Sequence, residues 1–205
     1  MRLVAGLLDL LFVPSCAACD AVLAEPLPFC AACAASIDGA AGGVAPYLYG
    51  GELATAIRRL KFEGRREVAR AIAPLLAPAL AAAAAGCDLV IPVPLHRRRL
   101  RQRGYNQAAL LARHTRRYID VPVDTLSLRR LRDTAPQTGL DRAARLENVD
   151  GAFTVVRPRR VAGRAVLLLD DVVTTGATLA AASAALRAAG AARVLPFCAA
   201  RAERD

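Results

Sequence analysis

The chain has no tryptophan, one methionine and two histidines, and aromatic residues make up only 4% of it. Its core must therefore be assembled from alanine, leucine and valine. The two histidines, His96 and His114, cannot build a histidine metal centre. No Ser/His/Asp or Cys/His grouping stands out for nucleophilic catalysis. There is no G-x-G-x-x-G and no G-x-x-x-x-G-K-[ST], so the loops that dinucleotide and NTP sites require are missing. Long hydrophobic runs are also lacking. Residues 1–13 carry Leu3, Leu7, Leu8, Leu11 and Phe12 near helical spacing but are interrupted by Asp9 and are too short to span a bilayer. They read as a helix packing on the body of the protein, since no small-x-small cleavage site follows them.

The remaining composition is globular, with 55% hydrophobic and 22% charged residues over 205 positions. That length holds one ordinary domain and a small appendage. The net charge of +10, mostly arginine, favours polyanions: nucleic acid, phosphorylated metabolites or acidic protein surfaces. An alanine- and arginine-rich chain also fits a GC-rich genome, so part of the excess carries no functional message.

The organising stretch is Val166 to Thr178. Val166-Leu167-Leu168-Leu169 reads as a strand buried on both faces, as in a parallel sheet. Asp170 and Asp171 follow where that strand is expected to end, and Val173-Thr174-Thr175-Gly176-Ala177-Thr178 leads into an Ala/Leu-rich helix. A strand–loop–helix unit offers unpaired backbone N–H groups and hydroxyls to an anion, just beyond two carboxylates. A phosphorylated ribose suits that pairing. The same residues also suit a solvated strand end with an ordinary capped turn.

Cys16-x-x-Cys19 and Cys30-x-x-Cys33 form two knuckles whose four thiolates can complete one tetrahedral site. Structural zinc is the expectation, with two disulfides or a redox pair as alternatives. Residues 14–38 hold too little core to fold without such a staple. Cys87 and Cys198 lack this spacing and are expected to be buried core thiols. The sequence divides into an N-terminal helix and four-cysteine ribbon (1–38), a Gly/Ala/Pro-rich linker (39–46) and a main domain (47–205). Within the main domain a short strand is expected at Tyr47-Leu48-Tyr49. Helices are expected over Glu52–Phe62 and Arg66–Ala85, the second kinked or broken at Pro74 and Pro78. Strands are expected at Asp88–Pro94, Val121–Leu128, Phe153–Val156 and Arg193–Cys198. Between the second strand and a helix from Asn106 to about Tyr118, five arginines (Arg97, Arg98, Arg99, Arg101, Arg103) form a cationic loop. Its natural targets are a pyrophosphate or a nucleic-acid backbone. Arg132 to Asn148 reads as a long binding loop with a short helix from Asp141.

These elements together carry a resemblance. The strand, acid pair and Thr-Thr-Gly-x-Thr order resembles the binding motif of type I phosphoribosyltransferases. The four-cysteine ribbon, Leu60-Lys61-Phe62-x-Gly64, Val93-Pro94-Leu95-His96-Arg97, Arg103-Gly104-Tyr105-Asn106-Gln107, and then Gln137, Arg142 and Asn148 make the whole chain similar to the ComF family. The resemblance implies an α/β type I phosphoribosyltransferase fold, a parallel sheet flanked by helices with a small N-terminal zinc ribbon. It implies binding of 5-phosphoribosyl-1-diphosphate with Mg²⁺. Asp170 and Asp171 would hold the ribose hydroxyls and stabilise charge at C1. Residues Val173 to Thr178 would hold the 5-phosphate. Leu95 to Arg98, with Arg103, would meet the pyrophosphate, and Arg132 to Asn148 would be the hood. It also implies a cytoplasmic role in natural transformation, with competence and recombination proteins and single-stranded DNA as partners. A non-catalytic zinc-ribbon module binding single-stranded DNA or competence and recombination proteins is the alternative, because no general base or acceptor site is evident.

Overall fold

The structure, a computed structural model, describes residues 14–133 and 151–203. The expected helix in residues 1–13, the hood beyond residue 133, and Gln137, Arg142 and Asn148 lie outside the described residues.

In chain order the elements are α1 (Ala31–Ala34), β1 (Tyr47–Leu48), α2 (Gly51–Phe62), α3 (Glu67–Ala84), β2 (Leu89–Pro92), α4 (Arg97–Arg103), α5 (Gln107–Thr115), β3 (Leu128–Arg130), β4 (Phe153–Val155), β5 (Ala165–Val173), α6 (Ala177–Ala188) and β6 (Arg193–Arg201). The main sheet has the order β1-β6-β5-β2, and every pairing in it is parallel. Its strands therefore need cover on both faces, and their side chains alternate between two cores. Leu167 and Leu169 point to one cluster with Leu53, Ile57, Leu60, Ile72 and Leu111 of α2, α3 and α5. Val166 and Leu168 point to the other, with Leu179 and Leu186 of α6 and Phe153 of β4. Each fully buried leucine contributes about 1.5–3 kcal/mol, so the alternation of β5 is a large part of what fixes its register.

α2 follows its sequence signals. Leu53, Ile57 and Leu60 form one buried stripe, Glu52 lies in the first turn, and Arg59 and Lys61 in the last. Gly64, at φ +73°, ends the path. Four expectations need correction. Of the kink or break expected at Pro74 and Pro78, the break does not occur: α3 runs on through both prolines. Both prolines are exposed and four residues apart, so the carbonyls they leave unpaired lie along the solvent side. The arginine segment is a helix, α4, not a loop. His96 caps it through Nδ1, and Gly104, at φ +78°, closes it. Val121–Leu128 is not a strand. Val123 makes a lone bridge to Val90, Asp124 then folds the chain into a turn by accepting from the Leu126 and Ser127 amides, and Leu128 already belongs to β3. β5 does not stop before the carboxylates but continues to Val173, with Asp170 opposite Cys198. Of the two other cysteines, Cys198 is buried and Cys87 only half-buried.

The four-cysteine segment packs on the main body, with Cys16, Ala17, Phe29 and Cys33 in the same apolar cluster as α2 and α3. The 39–46 stretch also touches the body, since the Val44 carbonyl accepts from the Cys198 amide at 2.7 Å. α3 is long and apolar enough to cross a membrane by composition alone. Here its Val68, Ala69, Ile72, Leu76 and Leu80 face is buried in the protein.

Candidate functional site

At the C-terminal ends of β2 and β5 lies a cavity of about 950 Å³. Open parallel sheets bind ligands at this edge, because the loops that follow the strands are free to diverge there. Asp170 and Asp171 line the floor, with Thr174 and Thr178 from the turn and the start of α6. Gly176 makes that turn possible with φ +81°, a conformation a side chain resists. The Thr175 hydroxyl accepts from the Ala177 amide at 3.4 Å. Val173, Thr175 and Gly176 line a second, adjoining cavity with Ser183 and Arg187, and Thr174 borders both. Ala177 is buried under the turn.

The two acids differ in accessible surface, Asp170 being half-buried and Asp171 buried. Asp171 Oδ1 accepts from the Val172 amide at 2.6 Å. Burial, reinforced by the Asp171 charge, pushes the Asp170 carboxyl up to about 7. Cations from three elements surround the pair. Lys61, from the last turn of α2, places its Nζ 3.1 Å from Asp171 Oδ1. Burial would lower the Lys61 ammonium, but the charges of Asp171 and Asp170 outweigh it and the net displacement is upward. Arg103 and Arg130 are both lowered by burial, with the charges of Asp171 and Asp170 respectively acting in the opposite sense.

The helical form of the arginine segment sorts its residues. Arg99 and Arg103, four apart on one face, line the cavity. Arg97, Arg98 and Arg101 are exposed and do not line it. Arg98 and Arg99 instead share Asp133 with His96, at 3.5–3.7 Å, which ties α4 to the end of β3. Of the cavity residues, Arg99 is expected only as one of five arginines in a cationic segment, Lys61 only as part of a motif without a role, and Arg130 not as a site residue. The i, i+4 spacing of Arg99 and Arg103 was the available signal for one of them. Nothing local marks Arg130, which arrives from the two-stranded β3-β4 ribbon.

The Arg103-Gly104-Tyr105-Asn106-Gln107 block holds this wall in place. Arg103 donates to Gln107 Oε1 at 2.6 Å and lies 5.4 Å from the Phe62 ring. The Tyr105 hydroxyl donates to the Leu60 carbonyl, and the Arg66 guanidinium covers its ring at 4.9 Å. Asn106 caps α5 through the Ala108 amide and donates to the Val93 carbonyl at 2.9 Å. The block thus fastens α2, β2 and α5 around the cavity mouth, where Phe62 stands 73% exposed.

The second candidate centre is the cysteine cluster. The sulfur atoms of Cys16, Cys19, Cys30 and Cys33 all lie within 4.8 Å of one another, and those of Cys19 and Cys30 are 3.8 Å apart. Four thiolates at about 2.3 Å from a tetrahedral ion are spaced about 3.8 Å apart, so the donor set fits zinc. All four are free thiols, which sets aside the disulfide alternative in this structure. Burial would raise the Cys16 thiol, but the amides of Cys19, Cys30 and Ala18 bring it down to about 6. Asp20, at φ +62° directly after the first knuckle, receives the Arg59 and Arg65 guanidiniums, each at 2.6 Å.

Residues 105–203 match the phosphoribosyl transferase domain family. The chain is 37% identical over 155 residues to the DNA utilization protein YhgH of Escherichia coli K12, covering 73% of this chain and 67% of that protein. It is 37% identical over 144 residues to Competence protein F of Haemophilus influenzae, covering 67% of this chain and 63% of that one. Among solved structures, an allosteric regulatory enzyme of purine biosynthesis aligns with 69% of this chain and 29% of its own at 22% identity and a TM-score of 0.46. The glutamine phosphoribosylpyrophosphate amidotransferase of B. subtilis aligns with 69% of this chain and 30% of its own at 23% identity and a TM-score of 0.42.

Proposed function

This chain belongs to the ComF family of phosphoribosyl transferase-domain proteins, and on that premise we propose that its 950 Å³ cavity binds 5-phosphoribosyl-1-diphosphate with its Mg²⁺ counter-ion. The observation that carries the reading is the single cavity shared by Asp170, Asp171, Thr174, Thr178, Arg99 and Arg103. It offers acceptors for a sugar diol, donors for a phosphate and cations for a diphosphate. Asp170 and Asp171 hold the ribose hydroxyls and the Thr174–Thr178 turn holds the 5-phosphate. Arg99 and Arg103 meet the pyrophosphate, in place of the exposed Arg97 and Arg98.

The reaction class that follows is pentosyl transfer. As pyrophosphate leaves, positive charge grows at C1 and the ring oxygen, and the neighbouring carboxylates stabilise it. Arg99 and Arg103 stabilise the departing oxygens; Mg²⁺, when bound with the substrate, neutralises further charge there. Zinc in the four-cysteine cluster has a structural role, because four protein ligands leave no open position. The names of the relatives, a DNA utilization protein and a competence protein, support a role in DNA use and competence; a cytoplasmic site of action in natural transformation, with competence and recombination proteins as partners, is the part of this reading that the family resemblance implies. Free thiols suit a reducing compartment.

Calorimetry with the sugar diphosphate and Mg²⁺ tests the binding. Wild-type protein gives saturable heat, and replacing both Asp170 and Asp171 by asparagine removes it; absence of heat with wild-type protein ends the reading. Pyrophosphate release with a panel of amine and nucleobase acceptors tests the transfer.

A second reading, direct binding of single-stranded DNA, is favoured by one observation. Arg97, Arg98 and Arg101 are exposed on α4 outside the cavity. Binding through them falls steeply with salt, and Arg97→Ala/Arg101→Ala weakens it without touching sugar-diphosphate binding.

A further inference from the structure

The outer face of α3 and α5 carries charge of one sign. The two helices pack on each other within one apolar cluster. Arg66 and Arg70 stand four residues apart at the start of α3. Arg113 and Arg117 stand four apart, from the last turn of α5 into the 3₁₀ turn Arg116–Tyr118. All four are exposed. The two helices bring their arginines to one place. Burial, then the charges of Arg113, Arg117 and Arg70, all press the imidazole of His114 below its ordinary value.

Nothing in the fold asks for this grouping. Like charges at i, i+4 repel, and cations at the start of a helix oppose its dipole. No carboxylate among the described residues comes within ion-pair distance of any of the four. Glu67, next to Arg66 in sequence, pairs with Arg65 instead. Arg59 and Arg65 show the contrast, since both close on Asp20. A face that keeps its repulsion uncompensated suits a partner that brings negative charges in series.

Aromatic rings narrow the class of polyanion. Tyr118 is 37% exposed, with the Arg117 guanidinium 5.1 Å from its ring centre. At the other end Arg66 covers Tyr105, beside the cavity mouth where Phe62 is exposed. Aromatic faces set among arginines stack unpaired bases, which neither a duplex nor an acidic peptide offers.

We propose that the outer face of α3 and α5 is a binding surface for single-stranded nucleic acid, in which Arg66, Arg70, Arg113 and Arg117 meet successive phosphates and Tyr118 stacks a base. The inference rests on the second reading above and adds to α4 a separate surface that leads away from the cavity mouth.

Fluorescence anisotropy on the full chain, with a labelled oligothymidylate of about twenty nucleotides, tests it. Arg70→Gln/Arg113→Gln/Arg117→Gln is expected to bind about tenfold more weakly or worse. It should also flatten the log–log salt dependence by about 2, since each phosphate met on a single strand contributes about 0.7. Lysine at the same three positions keeps the charge and the slope. Tyr118→Ala lowers affinity about fivefold or more with the slope unchanged. The glutamine variant binds the sugar diphosphate as wild type does and melts no lower; should it fail to fold, the three single glutamine variants are measured against the same criteria. An unchanged slope overturns the inference, and the second reading then stands on α4 alone if Arg97→Ala/Arg101→Ala still weakens binding. No effect of Tyr118→Ala overturns the assignment to single strands. Polyglutamate that displaces the oligonucleotide as well as unlabelled oligothymidylate does marks a surface for acidic protein and overturns it too. Wild-type protein that does not bind the oligonucleotide ends the inference and the second reading together, and leaves the sugar-diphosphate reading untouched.

Discussion

Asp20 Oδ1 lies 2.6 Å from a guanidinium nitrogen of Arg65, joining the first cysteine knuckle to the turn that follows α2. Arg59 closes on the same carboxylate at 2.6 Å and also reaches the Ala17 carbonyl at 3.4 Å. The two arginines bracket Lys61 in sequence, so the knuckle braces the helix end that supplies it.

Asp20→Asn is expected to lower stability by about 0.5–1 kcal/mol, the discounted worth of a partly exposed pair. That corresponds to a Tm drop of about 1–4 °C for a chain of this size. The Arg65 and Arg59 guanidiniums hold the Asp20 carboxyl well below the usual carboxylate range. A depressed carboxylate stabilises the fold above its unfolded value and loses that contribution as pH falls below about 4. Thermal scans of both proteins should therefore differ at pH 7 and converge in strong acid.

Metal analysis of purified protein is expected to give one zinc per chain. Removing it with a chelator, or replacing Cys16 or Cys33 by serine, should expose Phe29 and open residues 14–38 to protease, because the metal supplies folding energy that so small a segment lacks. A metal-free protein whose knuckle segment resists protease as well as the loaded form would contradict this.

Asp170 titrates in the opposite sense to Asp20. Its folded value, about 7, lies above its ordinary one. The native state therefore holds the extra proton between about pH 4 and 7, and stability declines as pH rises through that window. Asp170→Asn should remove this decline and melt higher than wild type at pH 8. It should also abolish the rise in sugar-diphosphate affinity expected in wild type as pH passes 7. A wild-type melting temperature that does not fall between pH 5 and 8 would count against the assignment.

Gly51 and Gly64 both have positive φ, +48° and +73°, yet they should not tolerate alanine equally. A Cβ at Gly64 meets nothing within 4 Å, so Gly64→Ala should cost only the conformational penalty of about 1–2 kcal/mol. A Cβ at Gly51 would collide with the Ser36 carbonyl oxygen, at the point where Ser36 Oγ accepts from the Glu52 amide. Gly51→Ala should cost more than Gly64→Ala and should melt the contact between the cysteine segment and α2. Equal Tm losses for the two variants would refute that ordering.

Much of this arrangement was legible from residue pattern. Val166 to Leu169 announced a central parallel strand because a strand covered on both faces has no polar alternation. The stripe Leu53, Ile57, Leu60 announced α2, and the doubled C-x-x-C announced the cluster. The misjudged segments were those where tertiary context decides. Asp170 and Asp171 read as a strand end, since carboxylates are costly inside a sheet, but Lys61, far away in sequence, offsets that cost. The prolines of α3 read as kinks or breaks because an interior proline removes a helix hydrogen bond, and their exposure, which lets water take the freed carbonyls, is a tertiary fact. The arginines read as a loop because they stand between a strand and a helix, whereas the caps supplied by His96 and Gly104 make them a helix of their own. Which of those arginines face the cavity was decided by the helical phase, which a loop does not have.

A pair of acids woven into a hydrogen-bonded ladder has little freedom to shift. Whatever adjustment accompanies ligand arrival must then come from the rim, where Phe62, α4 and the neighbouring turns have slack, while the floor stays put. Amide exchange should reflect this division, with β5 amides among the last to exchange and those around Gly64 among the first. Altering what the protein accepts is accordingly a matter of rebuilding that periphery around an unchanging foundation.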